Sequence, residues 1–128
     1  MDNRKGSIPA VTGDVATVFV AIELSGKEWL AAVQSPPLHY FWHDLLSEPV
    51  EARYDAIVMN PPFHQGRAAE PEIGSGLIAV AAKALKSRGR LFLVANKGLP
   101  YEKALAASFG EHRQIAGDGA FKVLAAQR

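Results

Sequence analysis

A proline turn that follows an apolar run in the middle of the chain has residue types suited to binding a planar amino group. The turn is Asn60-Pro61-Pro62-Phe63, and it comes directly after the apolar residues 57–59. A continuous apolar run is typical of a strand that is covered on both faces, as in a parallel sheet. Proline cannot donate to a sheet ladder, so we expect the strand to end here. The backbone carbonyls of Asn60 and Pro61 then remain free to accept hydrogen bonds from a ligand.

The chemistry that this proline turn offers is to hold and orient an exocyclic amine. The side-chain carbonyl of Asn60 adds an acceptor, so an amine of adenine, of guanine or of a glutamine-like amide can donate both its protons. Phe63 can stack on the attached ring, at roughly 1–3 kcal/mol per base. The alternative is that Asn60 only begins an Asn-Pro turn and that Phe63 packs in the core. Location favours the functional interpretation, because ligands of open α/β sheets bind beyond the carboxyl ends of the strands.

Alternating strands and helices are predicted on either side of the proline turn. The first strand, helix and strand form a βαβ unit, and the whole pattern predicts an α/β sheet with helices on both faces and a C-terminal antiparallel hairpin. Strands are predicted over residues 15–23, 38–43, 54–59 and 90–96, helices over residues 26–34, 71–86 and 101–109, and hairpin strands over residues 113–115 and 120–125, on either side of Gly117-Asp118-Gly119.

Composition fits one compact domain. The 128 residues are 48% hydrophobic and 21% charged, which suffices for a single core. A formal net charge of +1 gives no general electrostatic case for nucleic acid, although the second half is biased towards basic residues. Any affinity for RNA must therefore be local or supplied by a partner.

Cysteine usage and hydropathy exclude other classes of protein. Cysteine is absent, which excludes disulfides and thiolate metal sites, and no apolar stretch approaches the roughly 20 residues of a membrane span. His39, His43 and His112 show no metal-ligand spacing, so we expect no metal. Residues 1–14 contain no apolar segment of a secretory signal, which predicts a flexible arm before a domain over residues 15–128. We therefore expect a cytoplasmic protein without membrane contact.

Several segments together resemble the class I S-adenosylmethionine-dependent methyltransferases and, more narrowly, the small-subunit ribosomal RNA guanine-N2 methyltransferase C family. The resemblance covers about residues 38–126, and it rests on residues 60–66 (Asn-Pro-Pro-Phe-His-Gln-Gly), 89–91 (Gly-Arg-Leu), 94–96 (Val-Ala-Asn), 99–101 (Leu-Pro-Tyr) and 121–123 (Phe-Lys-Val). The Asn-Pro-Pro-Phe part marks amino-group methyltransferases in general. Residues 64–66 and 96–101 point to the guanine-N2 branch, and so to ribosomal RNA or the small ribosomal subunit as the partner.

The resemblance implies a role for each matching position. The proline turn, residues Asn60, Pro61, Pro62 and Phe63, would hold the target amine and its base beside the donor methyl group. The cofactor, S-adenosylmethionine, would contact Asn60, Asp44 beside its adenine amine and Glu23 at its ribose hydroxyls. The substrate would contact Phe63, His64, Arg67 and Lys97. The alternatives are that Glu23 is a solvated acid at a helix start and that Asp44 is a helix N-cap.

The chemistry implied by the resemblance needs little acid or base catalysis. Methyl transfer from a sulfonium is intrinsically downhill, so it depends on in-line positioning. We therefore interpret His64 as a loop residue that packs or touches RNA, and not as a general base.

The chain departs from the family at its first strand and the Gly-rich loop after it, which we do not find here. Ser25-Gly26-Lys27 is a poor substitute. In the family this strand lies in the middle of the sheet, so its loss would leave a gap. Three solutions stay open: residues 15–23 move into the central place and the loop after them imitates the Gly-rich turn, two copies form a homodimer through the incomplete sheet, or a longer natural protein supplies the missing half.

Two other functions follow from this departure and from the generality of the proline turn. One is a truncated, catalytically inactive methyltransferase-like domain that binds RNA or a protein partner. The other is an adenine-N6 or glutamine-N5 methyltransferase.

Overall fold

The described part of the chain forms a single mixed sheet with two helices. The computed structural model describes residues 18–23, 29–34, 39–42, 44–61 and 71–128, with side chains from residues 44–61 and 72–128. The strands are β1 (Val18–Glu23), β2 (Trp29–Gln34), β3 (His39–Trp42), β4 (Tyr54–Asn60), β5 (Leu85–Asn96), β6 (Glu111–Gly117) and β7 (Phe121–Gln127), and the helices are α1 (Pro71–Ala84) and α2 (Tyr101–Ser108). The seven strands lie in the order β3-β2-β1-β4-β5-β7-β6. The predicted α/β class is confirmed.

Strand β1 lies inside the sheet, next to the central strand β4. It pairs in parallel with β4, from Val18 opposite Ala56 to Ile22 opposite Asn60, and in antiparallel with β2 on its other side. Of the three solutions to the missing strand, the structure therefore adopts the first, in which this segment itself moves next to β4. The sheet is continuous across this position, so it has no gap for a second copy to fill. The homodimer stays a prediction. The loop over residues 24–28 lies outside the described residues.

The predicted helix over residues 26–34 is wrong, and so is the βαβ unit built on it. Trp29–Gln34 forms β2, which pairs with β1 on one side and with β3 on the other, both in antiparallel. The run is short and almost entirely apolar, and periodicity does not separate a helix from a buried strand in such a run. Six residues make fewer than two turns of a helix. As a strand between β1 and β3, the same six residues form backbone hydrogen bonds on both sides.

The later elements agree with the predictions except at the start of β5. The predicted strands at β3 and β4, the helices α1 and α2, and the hairpin of β6 and β7 are all present. Helix α1 was predicted to extend to Lys86, but it ends at Ala84, and residues 85–89 lie in the irregular first part of β5. Arg88 has a φ of 65°, and the register jumps from Tyr54 opposite Leu85 to Ala56 opposite Arg90. The bulge makes the early end of the helix compatible with continuous pairing to β4.

The core lies between the sheet and the two helices. Side chains alternate along β5, with Leu91 and Leu93 buried and Phe92 and Val94 half-buried. The buried side packs with both helices in one cluster, whose largest fully buried members include Tyr54, Ile57, Leu77, Ile78, Leu105 and Leu124. Helices were predicted on both faces. In the described part they cover one face, because residues 29–34 form a strand. Neither α1 nor α2 is long and apolar enough to cross a membrane.

Helices α1 and α2 touch at a glycine. Tyr101, the first residue of α2, is 1% exposed, and its ring fills the space where Gly74 of α1 has no side chain. A β-carbon at Gly74 would overlap this ring. The close approach of the two helices therefore requires a glycine here.

Replacing Gly74 by alanine is expected to destabilise the fold by about 1–3 kcal/mol, because it overpacks a buried contact. The matched control is Gly76→Ala in the same helix, where the new β-carbon would lie 3.1 Å from the flexible end of the exposed Leu46 side chain. Both substitutions gain the same helix propensity, about 1 kcal/mol. Urea denaturation should rank Gly74→Ala below Gly76→Ala. Equal stability of the two variants would show that the contact is not tight.

Candidate functional site

The predicted site residues of the described part lie along one edge of the sheet, where the parallel strands β1, β3, β4 and β5 have their carboxyl ends. One row of paired residues crosses four strands at this edge: Trp42, Leu30, Ile22 and Asn60. Glu23 comes one residue after this row on β1, and Asp44 comes two residues after it beyond β3. The structure therefore brings the backbone positions of all three predicted residues, Glu23, Asp44 and Asn60, to the same edge.

Asn60 is the last residue of the central strand β4. Its side chain is exposed, and the next residue, Pro61, is buried. The prediction that the prolines end this strand is confirmed. Pro62, Phe63, His64 and Arg67 lie outside the described residues, so their predicted roles stay predictions. The exposed amide at the strand end is in the position that a ligand of an open α/β sheet reaches.

Asp44 closes the turn that follows β3. Its carboxylate accepts hydrogen bonds from the backbone N–H of Leu46 at 3.1 Å and from the hydroxyl of Ser47 at 2.6 Å. Its carbonyl accepts from the N–H of Glu48 at 2.8 Å. The alternative offered by the sequence was a helix N-cap, but residues 45–47 form a turn and not a helix, so Asp44 caps a turn. The side chain is exposed, and a carboxylate has about four acceptor positions, so capping and contact with a cofactor amine are compatible.

Glu23 ends β1, directly beside β4. It pairs with Trp29 of β2. The residue before it on β1, Ile22, lies opposite Asn60 of β4. The alternative of a solvated acid at a helix start is wrong in one respect, because the next described element is a strand. Its side chain lies outside the described residues, and its predicted contact with ribose stays a prediction.

The loop after β5, residues 97–100, lies at the same edge next to the end of β4. Asn96 organises it: its side-chain carbonyl accepts from the N–H of Gly98 at 3.1 Å, and its backbone carbonyl accepts from the N–H of Leu99 at 3.1 Å. Lys97, predicted to contact the substrate, is exposed, and its N–H donates to the carbonyl of Ala120 at 2.8 Å. We call residues 97–100 the β5 loop.

A buried lysine holds the β5 loop from the buried side of that loop. Lys122 of β7 is 5% exposed, and its ammonium donates to the carbonyl of Leu99 and to the carboxylate of Glu102, each at 2.6 Å. Sequence reasoning quoted Lys122 within a resembling segment but gave it no role. The signal was its alternation with Leu124 and Ala126, which places it on the buried side of β7.

The ion pair with Lys122 determines the charge state of Glu102. Burial raises the pKa of the Glu102 carboxyl, but the hydrogen bond from Lys122, a bond within its own backbone and the charges of Lys122 and His112 lower it further, and the pKa lies below its ordinary value. The carboxylate is therefore charged at neutral pH and balances the buried ammonium. Burial also raises the pKa of the Tyr101 hydroxyl, so Tyr101 is a neutral packing residue there.

The described residues contain no cluster of three or more histidine, aspartate or glutamate side chains that would hold a metal ion. The edge of the sheet instead has the exposed amide of Asn60, the acids Glu23 and Asp44, and the β5 loop, which Lys122 holds. Such groups can orient a ligand by hydrogen bonds.

Comparison with known proteins matches nearly the whole chain to one family. The family model described as methyltransferase small domain covers residues 9–125. The ribosomal RNA small subunit methyltransferase C of Proteus mirabilis is 43% identical over 119 residues, which are 93% of this chain and 31% of that protein. The ribosomal RNA large subunit methyltransferase G of Shewanella amazonensis is 37% identical over 109 residues, 84% of this chain and 28% of that protein. The chain thus spans about a third or less of these relatives.

A solved structure agrees with these matches. The T. thermophilus 16S rRNA N2 G1207 methyltransferase, in complex with AdoMet and guanosine, has a TM-score of 0.55 and 40% identity, over 61% of this chain and 21% of that one. PigF with SAH has a TM-score of 0.50 at 16% identity, and this similarity concerns the fold alone.

The stability that the pair of Glu102 and Lys122 contributes is expected to depend on pH. Because the pKa of Glu102 is lowered in the folded state, its contribution is present above the ordinary value of about 4.3 and is lost as the pH falls through the folded value. The carboxylate is 44% exposed, so solvent screening limits the effect to about 1 kcal/mol. Glu102→Gln should therefore lower the free energy of unfolding at pH 7 and match the unmodified chain in strong acid. Glu51→Gln, at an exposed loop position, is the control, and an equal pH profile for both variants would contradict the role of the pair.

Proposed function

Because this chain belongs to the methyltransferase small domain family, we propose that it transfers a methyl group from S-adenosylmethionine to the N2 amine of a guanine in small-subunit ribosomal RNA. The observation that carries the proposal is the position of Asn60, exposed at the end of the central strand and beside the strand that ends at Glu23. The printed name of the Proteus mirabilis relative and the guanosine and AdoMet of the T. thermophilus complex support the choice of substrate and cofactor.

The proline turn performs the positioning in this proposal. The side-chain carbonyl of Asn60 and the backbone carbonyl of Pro61 accept the two protons of the guanine N2 amine, which directs the nitrogen lone pair away from the protein backbone. Phe63 stacks on the base, and His64, Arg67 and Lys97 contact the neighbouring RNA. When bound, S-adenosylmethionine would supply an electrophilic methyl carbon on its sulfonium. The N2 lone pair would form a bond to this carbon, and S-adenosylhomocysteine would leave with the electrons of the carbon–sulfur bond. The methylated amine then releases one proton to water.

The acids at the edge suit the two ends of an adenosine. Glu23 and Asp44 follow β1 and β3, which have β2 between them, so they are about 10 Å apart at the usual strand spacing. This separation is comparable with the length of a nucleoside. In the proposal Glu23 accepts hydrogen bonds from the ribose hydroxyls and Asp44 accepts one from the adenine amine. The reaction would take place in the cytoplasm, with ribosomal RNA as the partner.

A second function follows from the sequence after β1, where Ser25-Gly26-Lys27 stands in place of a Gly-rich loop. A domain that lacks a cofactor pocket would bind RNA or a protein partner without turnover. Cofactor affinity separates this function from the enzyme.

Calorimetric titration with S-adenosylmethionine and with S-adenosylhomocysteine is expected to give micromolar binding, about −8 kcal/mol. Asp44→Asn should weaken binding about tenfold, because an amide replaces a charged acceptor for the adenine amine. Asparagine caps as well as aspartate, so the free energy of unfolding of this variant should be unchanged. The absence of binding at millimolar ligand would overturn the enzyme proposal in favour of the inactive domain.

Asn60→Ala is expected to lower kcat/KM for methyl transfer by about a hundredfold, because the amine loses an acceptor that aligns it for in-line attack. The measurement is transfer of a labelled methyl group to isolated 16S and 23S ribosomal RNA, followed by mass spectrometry of the modified nucleoside. The cofactor affinity should fall by no more than about twofold, because Glu23 and Asp44 supply the other predicted contacts of the cofactor.

The control for Asn60→Ala is Gln114→Ala, which removes an exposed amide from the outer strand β6. A product other than N2-methylguanosine would contradict the acceptor, with N6-methyladenosine pointing to the adenine alternative. Methylation of 23S RNA alone would contradict the choice of subunit and favour the activity named for the Shewanella amazonensis relative.

A further inference from the structure

The strongest unexplained feature of the described residues is the buried ammonium of Lys122. An ammonium taken out of water costs several kcal/mol unless it is paired and hydrogen-bonded. Its two partners, the carbonyl of Leu99 and the carboxylate of Glu102, lie at 2.6 Å. One partner belongs to the β5 loop and the other to the first turn of α2. Any displacement of the loop that removes the Leu99 carbonyl leaves the buried ammonium with fewer acceptors, so the ammonium opposes that displacement.

The loop that Lys122 holds adjoins the acceptor position. Met59 of β4 pairs with Leu93 of β5, so β4 ends at Asn60 while β5 continues to Asn96. The β5 loop therefore begins beyond the level of the Asn60 side chain, on the neighbouring strand. Leu99 is buried, whereas Lys97 and Pro100 are exposed. The loop thus has one side packed on Lys122 and another side open at the edge where Asn60 lies.

The same contact reaches the helix that follows the proline turn. Glu102 and Tyr101 are neighbours in α2, and the Tyr101 ring fills the space at Gly74 in the first turn of α1. Lys122 therefore connects β7, the β5 loop, α2 and the start of α1. All of these elements follow the proline turn in the sequence, and α1 is the first of them.

We infer that Lys122 is a positioning residue for the acceptor: by fixing the β5 loop from its buried side, it keeps that loop in place as a wall of the pocket in which Asn60 receives the guanine. The inference rests on the proposed function for the identity of the acceptor. It assigns Lys122 no contact with substrate or cofactor. It predicts that loss of the ammonium weakens acceptor binding and leaves cofactor binding intact, because Glu23 and Asp44 lie on the other side of β4.

The test compares Lys122→Met, which keeps the length of the side chain and removes the donor, with Lys122→Arg, which keeps donors for both partners. Guanosine affinity is measured by NMR titration with S-adenosylhomocysteine present, and the amide exchange of residues 97–101 is followed in the same samples. We expect Lys122→Met to weaken guanosine binding about tenfold, the equivalent of one lost hydrogen bond to a charged group, and to speed exchange in the loop. Lys122→Arg should restore most of the affinity.

The matched control is Lys103→Met, which removes an exposed ammonium from the same helix as Glu102. It should leave the affinities for guanosine and S-adenosylhomocysteine unchanged. Glu102→Ala serves as the second variant if Lys122→Met does not fold, because it releases one of the two partners and leaves the Leu99 carbonyl in place. Its expected loss of guanosine affinity is smaller, about threefold.

The outcomes separate this inference from the proposed function. Unchanged guanosine affinity in the variants, or a parallel loss of affinity for guanosine and S-adenosylhomocysteine, would overturn the positioning role, since the second pattern is that of general destabilisation. Absence of guanosine binding by the unmodified chain would overturn it as well. Binding of both ligands without methyl transfer would refute the proposed activity, and the guanosine affinities of the variants would still decide the role of Lys122.

Discussion

The parallel pairing of β1 with β4 is the constraint on which the rest of the structure depends. It places the strand that ends at Glu23 beside the strand that ends at Asn60, with their carboxyl ends at one edge. Parallel strands need a crossover connection, which is usually a helix. Here the connection over residues 24–53 contains β2 and β3, which extend the sheet in antiparallel. The strands β2 and β3 thereby complete one half of the sheet, while β1 and β4 still end at the same edge.

The two halves of the sheet have different structural support at this edge. On the β5 side, α1 and α2 cover the sheet and the buried ammonium of Lys122 holds the loop, so the elements around the acceptor position are fixed by packing. On the β3 side, Asp44 is held by hydrogen bonds within its own turn. A turn whose polar groups form hydrogen bonds with one another depends little on tertiary contacts. The acceptor side of the edge is therefore more strongly constrained than the side assigned to the cofactor adenine.

The second half of the chain was predictable because its signals are strong and local. The prolines after Asn60 end β4, the apolar spacing of α1 extends over many turns, and Gly117-Asp118-Gly119 separates the hairpin strands. Residues 29–34 were not predictable, since a six-residue apolar run carries no usable period and its partners are remote in sequence. The bulge at Arg88 depends on the register between β4 and β5, which no local signal specifies. The burial of Lys122 could have been predicted from its alternation with Leu124 and Ala126 on β7, but a lysine is usually assigned to the surface.

The proposed methyl transfer from a sulfonium would depend mainly on alignment, and the structure constrains the position of Asn60. Asn60 ends a strand that is paired on both sides, since Met59 lies opposite Ala21 of β1 and Leu93 of β5. A strand in this position cannot shift without breaking two ladders. The β5 loop has no such ladder. It is held by the turn at Asn96, by the hydrogen bond from the N–H of Lys97 to the carbonyl of Ala120 and by the buried ammonium of Lys122. In the proposed function, this ammonium would act on the reaction through geometry, without contact with the substrate.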